Sequence, residues 1–432
     1  MDQFSFTAAS HPWIAHEWLS QLVTFAAFQA GGYQALMLAF CVVASLIVVL
    51  SYVICGLWSG NWKVSLVGAM AAFFFLTVSL AIRPLLLGHL FLLVEFLLLY
   101  YGFVRKSAAI WALPLLFVIW ANCHGSFIFG AVVAALTTVG VCWRFKGWWP
   151  RLAVDRRLAI RSCVVLGLCL LAPFVNPVGP ELVLYPLNVL GAQPDNIGNI
   201  EEWAALNPTE PRGIGLALML GVIVLVCLVS RKRPTAYEWL ALLGTTAMAL
   251  RHSRMLPLFG FIAAPLMCRL LADAWENYDP RKDRPIVNAL MMLAALAFSI
   301  AVLPSTRDIQ KQIAAKEPVK ATHSMNALGL SGPVLNDYAW GGYLMWANRS
   351  QPVFIDGRAD IYAWTGVLRD FGRWALLQED PRLLLDRYKI QTCLIRTSSP
   401  MANVLPYLPG WKKVYSDDLA VVFTRSSAAA TP

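Results

Sequence analysis

Long apolar stretches recur along most of this chain, at roughly 33–57, 64–82, 84–104, 107–121, 127–143, 162–178, 212–230, 234–250, 255–272 and 286–304. A bilayer core demands about 20 apolar residues per helical crossing, and only helices or closed barrels can satisfy the backbone there. The residue balance agrees: 58% of the 432 residues are hydrophobic and 14% are charged, where a soluble domain carries about a quarter. The pattern predicts a polytopic α-helical membrane protein with about ten spans, several of them short enough to be half-helices.

The net charge of +10 is a topology signal and not a nucleic-acid signal, because the basic residues sit in short loops between apolar stretches. Arg105-Lys106, the run from Arg144 to Arg161, Arg231-Lys232-Arg233 and Arg281-Lys282-Arg284 alternate with loops that carry only Arg83, Arg212, Arg251 and Arg254. The positive-inside bias makes the first set cytoplasmic. The segment 1–32 and the region 305–432 then both face outward, consistent with an even number of spans. The start, Met1-Asp2-Gln3-Phe4, has no basic n-region and reads as no cleavable signal peptide. Cysteines within the apolar stretches (Cys41, Cys55, Cys142, Cys163, Cys169, Cys227 and Cys268) read as small hydrophobes, and no CxxC pair is present.

Three parts are expected: an outer segment with an interfacial helix at 1–32, a transmembrane helical domain at 33–304, and a small extracytoplasmic α/β domain at 305–432. In the last, strand-type runs occur at Pro333–Leu335, Pro352–Ile355, Thr392–Ile395 and Ala420–Phe423, with helices over Val367–Leu377 and Pro381–Tyr388.

Polar residues that a bilayer disfavours gather on the non-cytoplasmic side of this threading. His11-Pro12-Trp13-Ile14-Ala15-His16-Glu17-Trp18 offers proton transfer or metal binding; its plainer reading is an interfacial helix start, with Glu17 complementing the dipole. Arg83 precedes a helix that carries His89, and could hold a phosphate or snorkel to headgroups. Asn122 and His124, in Trp120-Ala121-Asn122-Cys123-His124-Gly125-Ser126, interrupt two apolar helices, where polar groups are functional by default; the alternative is a tight turn. Asn176 ends another helix, and the long loop 179–211 holds Tyr185-Pro186, Glu201 and Glu202. Arg251, His252 and Arg254 suit a phosphate or pyrophosphate, or a lipid headgroup. In the outer domain Asp356, Arg358 and Asp360 follow a strand end, where ligands often bind, although an Asp–Arg pair bracing a turn weighs more. Asn348-Arg349-Ser350 matches a glycosylation sequon.

Taken in order, "FSFTAASHPWIAHEWLS" at 4–20, "RPLLLGHLF" at 83–91, "WANCHGSF" at 120–127, "NPVG" at 176–179, "RHSRMLPLF" at 251–259 and "NDYAWGGYL…VFIDGRADIY" at 336–362 resemble the GT-C superfamily of integral-membrane glycosyltransferases, of the bacterial, polyprenyl-phosphate-sugar-dependent type. The resemblance spans nearly the whole chain. It implies transfer of a sugar from a polyprenyl-phosphate donor to a glycan, lipid or protein acceptor on the outer side of a bacterial inner (plasma) membrane. It also implies an acidic base in the first outer loop. Met1 falls within that loop, downstream of the family's first transmembrane helix, so Glu17 is the candidate base with His16 as helper. Arg251, Arg254 and Arg83 would hold the phosphate; His124 and Asn122 would line the donor pocket; His11, His89, Asn176, Glu201, Glu202, His252, Asp356, Arg358 and Asp360 complete the substrate-binding candidates. No cofactor is assigned, and a divalent metal stays open. Membrane lipid is an expected partner and nucleic acid is not. Two other functions compete: a transporter or flippase of lipid-linked or anionic substrates, which should show inverted repeats and midplane polar groups, and a catalytically inactive scaffold with a binding domain.

Overall fold

The computed structural model describes residues 1–9, 11–105, 107–142, 156–185, 204–274, 278–282, 284, 286–287, 290 and 304–426. They divide into two compact units, one built from 15–185 and 204–290, the other from 1–14 and 304–426.

The first unit is helical. Its helices are α1 (Trp18–Ser59), α2 (Trp62–Leu76), α3 (Leu85–Phe103), α4 (Leu113–Cys123), α5 (Phe127–Cys142), α6 (Arg156–Leu171), α7 (Pro211–Val229), α8 (Ala236–Arg251) and α9 (Leu256–Ala274). Each expected apolar stretch from 33 to 272 coincides with one of them, and the stretch 286–304 lies almost wholly outside the described residues. Among the described residues six helical segments are long and apolar enough to cross a membrane; Ala108–Cys123 and Phe127–Cys142 are apolar but shorter. The chain is therefore a membrane-type helical protein with six candidate crossings among the described residues, where about ten were expected.

Local chemistry sets the helix ends. Asn61 caps α2 by accepting from the amides of Lys63 and Val64, and Thr235 and Glu238 form a capping box at the start of α8. Within α1, Gly31 and Gly32 leave helical geometry, Gly32 at φ 62° and ψ −149°, a conformation that only glycine adopts cheaply. The break divides α1 into an 18–30 segment and a 33–59 segment. The first of these begins at Trp18, and the second starts where the first apolar stretch was read.

Hydropathy alone does not say which helix faces lipid. The apolar window of α1 has mean hydropathy 2.8 and is 22% buried, whereas that of α9 has 1.8 and is 83% buried. Leu22, Val23, Phe25, Leu38 and Val42 of α1 are exposed, as a lipid-facing surface requires. α9 packs among α1, α2, α7 and α8 and buries Phe259, Phe261, Leu266 and Leu270. Cys41, Cys142 and Cys163 are exposed, so these three are surface thiols and not the buried hydrophobes they were read as.

The second unit is a small α/β domain. Helices α10 (Thr306–Lys316) and α11 (Val319–Ala327) precede a sheet of β1 (Val334–Asn336), β2 (Thr392–Arg396), β3 (Trp411–Ser416) and β4 (Ala420–Arg425). The strand order is β1-β2-β4-β3, with β1 parallel to β2 and the other pairs antiparallel. Between β1 and β2 run α12 (Gly341–Ala347), α13 (Ala359–Thr365), α14 (Val367–Ala375) and α15 (Pro381–Arg387). The expected strand at 352–355 is reduced to isolated bridges from Val353 to Ser5 and Val334. Asn336 explains this: its side chain donates to the Ile355 carbonyl at 2.7 Å and accepts from the Phe354 amide at 2.9 Å, taking the place of a ladder. Residues 4–7 follow the same segment, the Phe6 amide donating to Val353 O at 3.2 Å and Val353 N to Phe4 O at 2.9 Å.

Candidate functional site

In the helical unit the polar residues converge on Glu17, the residue before α1. Its carboxyl makes no capping hydrogen bond and turns instead toward His124 in the α4–α5 turn, 3.4 Å from Nε2. His16 Nε2 stands 3.9 Å from the same oxygen, and its ring stacks on Tyr185 at 4.3 Å between centroids. Burial pushes the Glu17 carboxyl up from 4.5 to about 7, and the positive charge of Arg254 works against that rise. A carboxyl poised there exchanges protons readily near neutral pH.

The turn is held so that His124 faces Glu17. The Ser126 amide donates to His124 Nδ1 at 3.0 Å, which leaves the proton of a neutral imidazole on Nε2, pointing at the carboxyl. Burial, then the charges of Arg254, His89 and His16, hold His124 well below its ordinary range, so it serves as a neutral hydrogen-bond donor. The buried Trp120 indole donates to Ser126 Oγ at 3.0 Å. Gly88 of α3 makes room: a Cβ there would sit 2.2 Å from Ser126 Oγ. His89 follows Gly88 and stacks edge-on against Phe261 at 5.7 Å. Its Nε2 is buried with no hydrogen-bond partner among the described residues.

Asn122 ties three elements together. Its amide donates to Val118 O at 2.7 Å and Val175 O at 2.9 Å, and its carbonyl accepts from the Trp18 indole at 2.7 Å. It therefore fixes the start of α1 beside Glu17. Asn176 is likewise spent on its own turn, bonding Pro173 O, Gly179 O and the amides of Val178 and Gly179. Arg83 and Arg251 are exposed, and His252 is half-buried after α8. Glu201 and Glu202 lie outside the described residues.

Among residues not singled out from sequence, Glu95 matters most. It sits mid-way along α3, fully buried against Gly130 and near Trp120. Neither carboxyl oxygen has a hydrogen-bond partner among the described residues. The signal was present: Glu95 is the one acid in the apolar run Leu85–Phe103.

The other candidates belong to the second unit and have a different character. Arg358 donates to Asp356 through Nε at 2.8 Å and NH2 at 2.6 Å, and to Asp2 through NH1 at 2.6 Å. Tyr362 donates to Asp356 at 2.6 Å, and Asp2 also accepts from Phe4 N, Ser5 N and Ser5 Oγ. The guanidinium lies over the rings of Phe4 and Trp13, 5.3 and 5.0 Å from their centroids. Burial works to raise Asp2, but the hydrogen bonds from Arg358, Ser5 and Phe4 win and hold it below 3.8. The structure brings Asp356 and Arg358 together as a fastening for residues 1–14. His11 is part of that strap, its amide donating to Ala8 O, and Asp360 lies in the first turn of α13.

No group of three or more His, Cys, Asp or Glu among the described residues is placed to hold a metal ion. Compared with known proteins, the chain matches no family model and no curated protein by sequence.

Proposed function

We propose that this chain is a membrane glycosyltransferase, a body of about ten spans that moves a sugar from a polyprenyl-phosphate donor to an acceptor on the extracytoplasmic side. The observation that carries the reading is the Glu17 carboxyl, buried, pushed up to about 7 and facing His124 with Arg254 close by. As the base, Glu17 takes the proton of an acceptor hydroxyl. The hydroxyl oxygen attacks the anomeric carbon, the bond from that carbon to the phosphate oxygen breaks, and the polyprenyl phosphate leaves with the electron pair. Arg254 answers the charge developing on that phosphate, and His89 Nε2 supplies a further polar contact. His124 orients the base, and Asn122 with Trp18 fixes its place in the chain.

The test is transfer from a radiolabelled polyprenyl-phosphate sugar in proteoliposomes. Glu17→Gln lowers transfer about 10²- to 10⁴-fold, and Arg254→Ala lowers it as well; unchanged transfer in Glu17→Gln overturns the reading. Variants silent at Glu17 and Arg254 but damaging at Asp356–Asp360 would favour the scaffold. One observation favours a transporter as the second reading: Glu95 supplies an ionisable group in the middle of an apolar helix, with no hydrogen-bond partner among the described residues. Sugar-independent flux of a lipid-linked or anionic solute, abolished by Glu95→Gln, would select it.

A further inference from the structure

We infer that the α/β unit carries a binding subsite for uncharged carbohydrate, in a cleft of about 530 Å³ between the turn after α11 and the loop after α12. That volume falls within the range of small-molecule sites. Its lining combines side-chain amides and hydroxyls (Asn326, Ser331, Asn348, Ser350 and Gln351) with glycine backbone, the half-buried ring of Phe6 and the apolar Leu330, Pro333 and Pro352, and no charged residue lines it among the described residues.

The amides are linked to one another by hydrogen bonds. Asn348 Nδ2 donates to Asn326 Oδ1 at 3.3 Å and to Gln351 Oε1 at 3.1 Å, while its own carbonyl accepts from Ser350 Oγ at 3.1 Å. Gln351 Nε2 in turn donates to Gly332 O at 3.0 Å. This network leaves capacity over. The two N–H groups of Asn326 and the hydroxyl of Ser331 have no partner among the described residues, and the Ser350 oxygen can still accept. A surface with fixed donors and acceptors, one aromatic face and no charge fits a ligand of alternating hydroxyls and C–H faces. Phosphates and carboxylates would find no cation, and a purely apolar ligand would strip the amides of water. Ordering in advance lowers the entropic cost of holding such a ligand.

This subsite is separate from the chemistry proposed at Glu17, and its test reads binding alone. Saturation-transfer NMR is run on the full chain in a detergent without a sugar headgroup, with maltose, lactose and N,N′-diacetylchitobiose as probes and an uncharged tetrapeptide as control. The expected result is saturation of ring protons of at least one disaccharide, reduced about two- to tenfold by Asn326→Ala, abolished by the cleft-filling Ser331→Trp, and unchanged by Glu17→Gln. Both cleft positions are exposed, so melting midpoints should match the parent. No transfer to any sugar, transfer that survives Ser331→Trp, or equal transfer to the tetrapeptide overturns the inference.

Discussion

Two clusters in this molecule use the same residue types to opposite ends. Around Arg358, two buried carboxylates, a guanidinium and a phenol pair off completely, and Asp2 is held below its ordinary 3.8. Around Glu17 the carboxyl is pushed up from 4.5 to about 7, His89 Nε2 stays unpartnered among the described residues, and the nearest imidazole is kept neutral. The first arrangement lowers the energy of its charges and fastens a strap. The second keeps a carboxyl in a setting unfavourable to its charge, so that it exchanges its proton near neutral pH. Buried polarity by itself distinguishes neither; the number of partners does.

The sharpest way to break this contrast is to remove the cation from the paired cluster. Arg358→Ala leaves two buried carboxylates without their partner and should destabilise the α/β unit by about 3–5 kcal/mol. Proteolysis of residues 1–14 and a lowered melting midpoint would report it; an unchanged midpoint would mean the pairing contributes little. The parent cluster should also resist acid, because the stability from Asp2 is present above its ordinary value and lost only as pH falls through a folded value below 3.8.

Glu17→Gln should act in the opposite sense. A carboxyl raised from 4.5 to about 7 makes the folded state bind its proton more tightly. Folding stability then falls as pH climbs through that window, by about 3 kcal/mol at about 1.4 kcal/mol per unit. The variant should therefore be more stable than the parent at pH 8, by up to about 3 kcal/mol, and equal to it at pH 4. Melting curves at the two pH values check this, and a variant that is less stable at pH 8 would place Glu17 among the paired groups. In the parent, the proposed role of Glu17 requires transfer to rise with pH and level off above about 7, following deprotonation of its carboxyl.

The smallest effect is expected at the tie between α1 and α4. Trp18→Phe keeps an aromatic side chain, though a smaller one, and removes the 2.7 Å bond to Asn122, whose loss costs about 1 kcal/mol. If Asn122 positions Glu17, transfer should fall by more than that stability change explains. Proportionate losses would reduce the tie to packing.

Much of this was legible in the chain. The apolar stretches located the helices because membrane helices need length and hydropathy and little else. Side-chain bonding was not legible. Asn122 and Asn176 look alike as polar interruptions of apolar sequence, yet one braces α1 and the other folds its own turn. Pro352–Ile355 has strand composition, but a single asparagine from β1 replaces its ladder. β3 escaped notice because Lys412 and Lys413 are exposed in its middle, so it shows no alternation. Glu95 escaped because a hydropathy reading averages a stretch and hides the single residue that contradicts it.

The glycine break in α1 insulates the position of Glu17 from events further along the helix. In an unbroken helix each inserted or deleted residue rotates everything beyond it by about 100° and shifts it by about 1.5 Å. Gly31 and Gly32 interrupt that rigid coupling, so the 33–59 segment can change length or azimuth while the 18–30 segment keeps its orientation. Insertions after residue 32 should accordingly disturb the packing of Ile47, Ile54 and Cys55 without turning the 18–30 segment, whereas insertions between 18 and 30 should turn that segment itself.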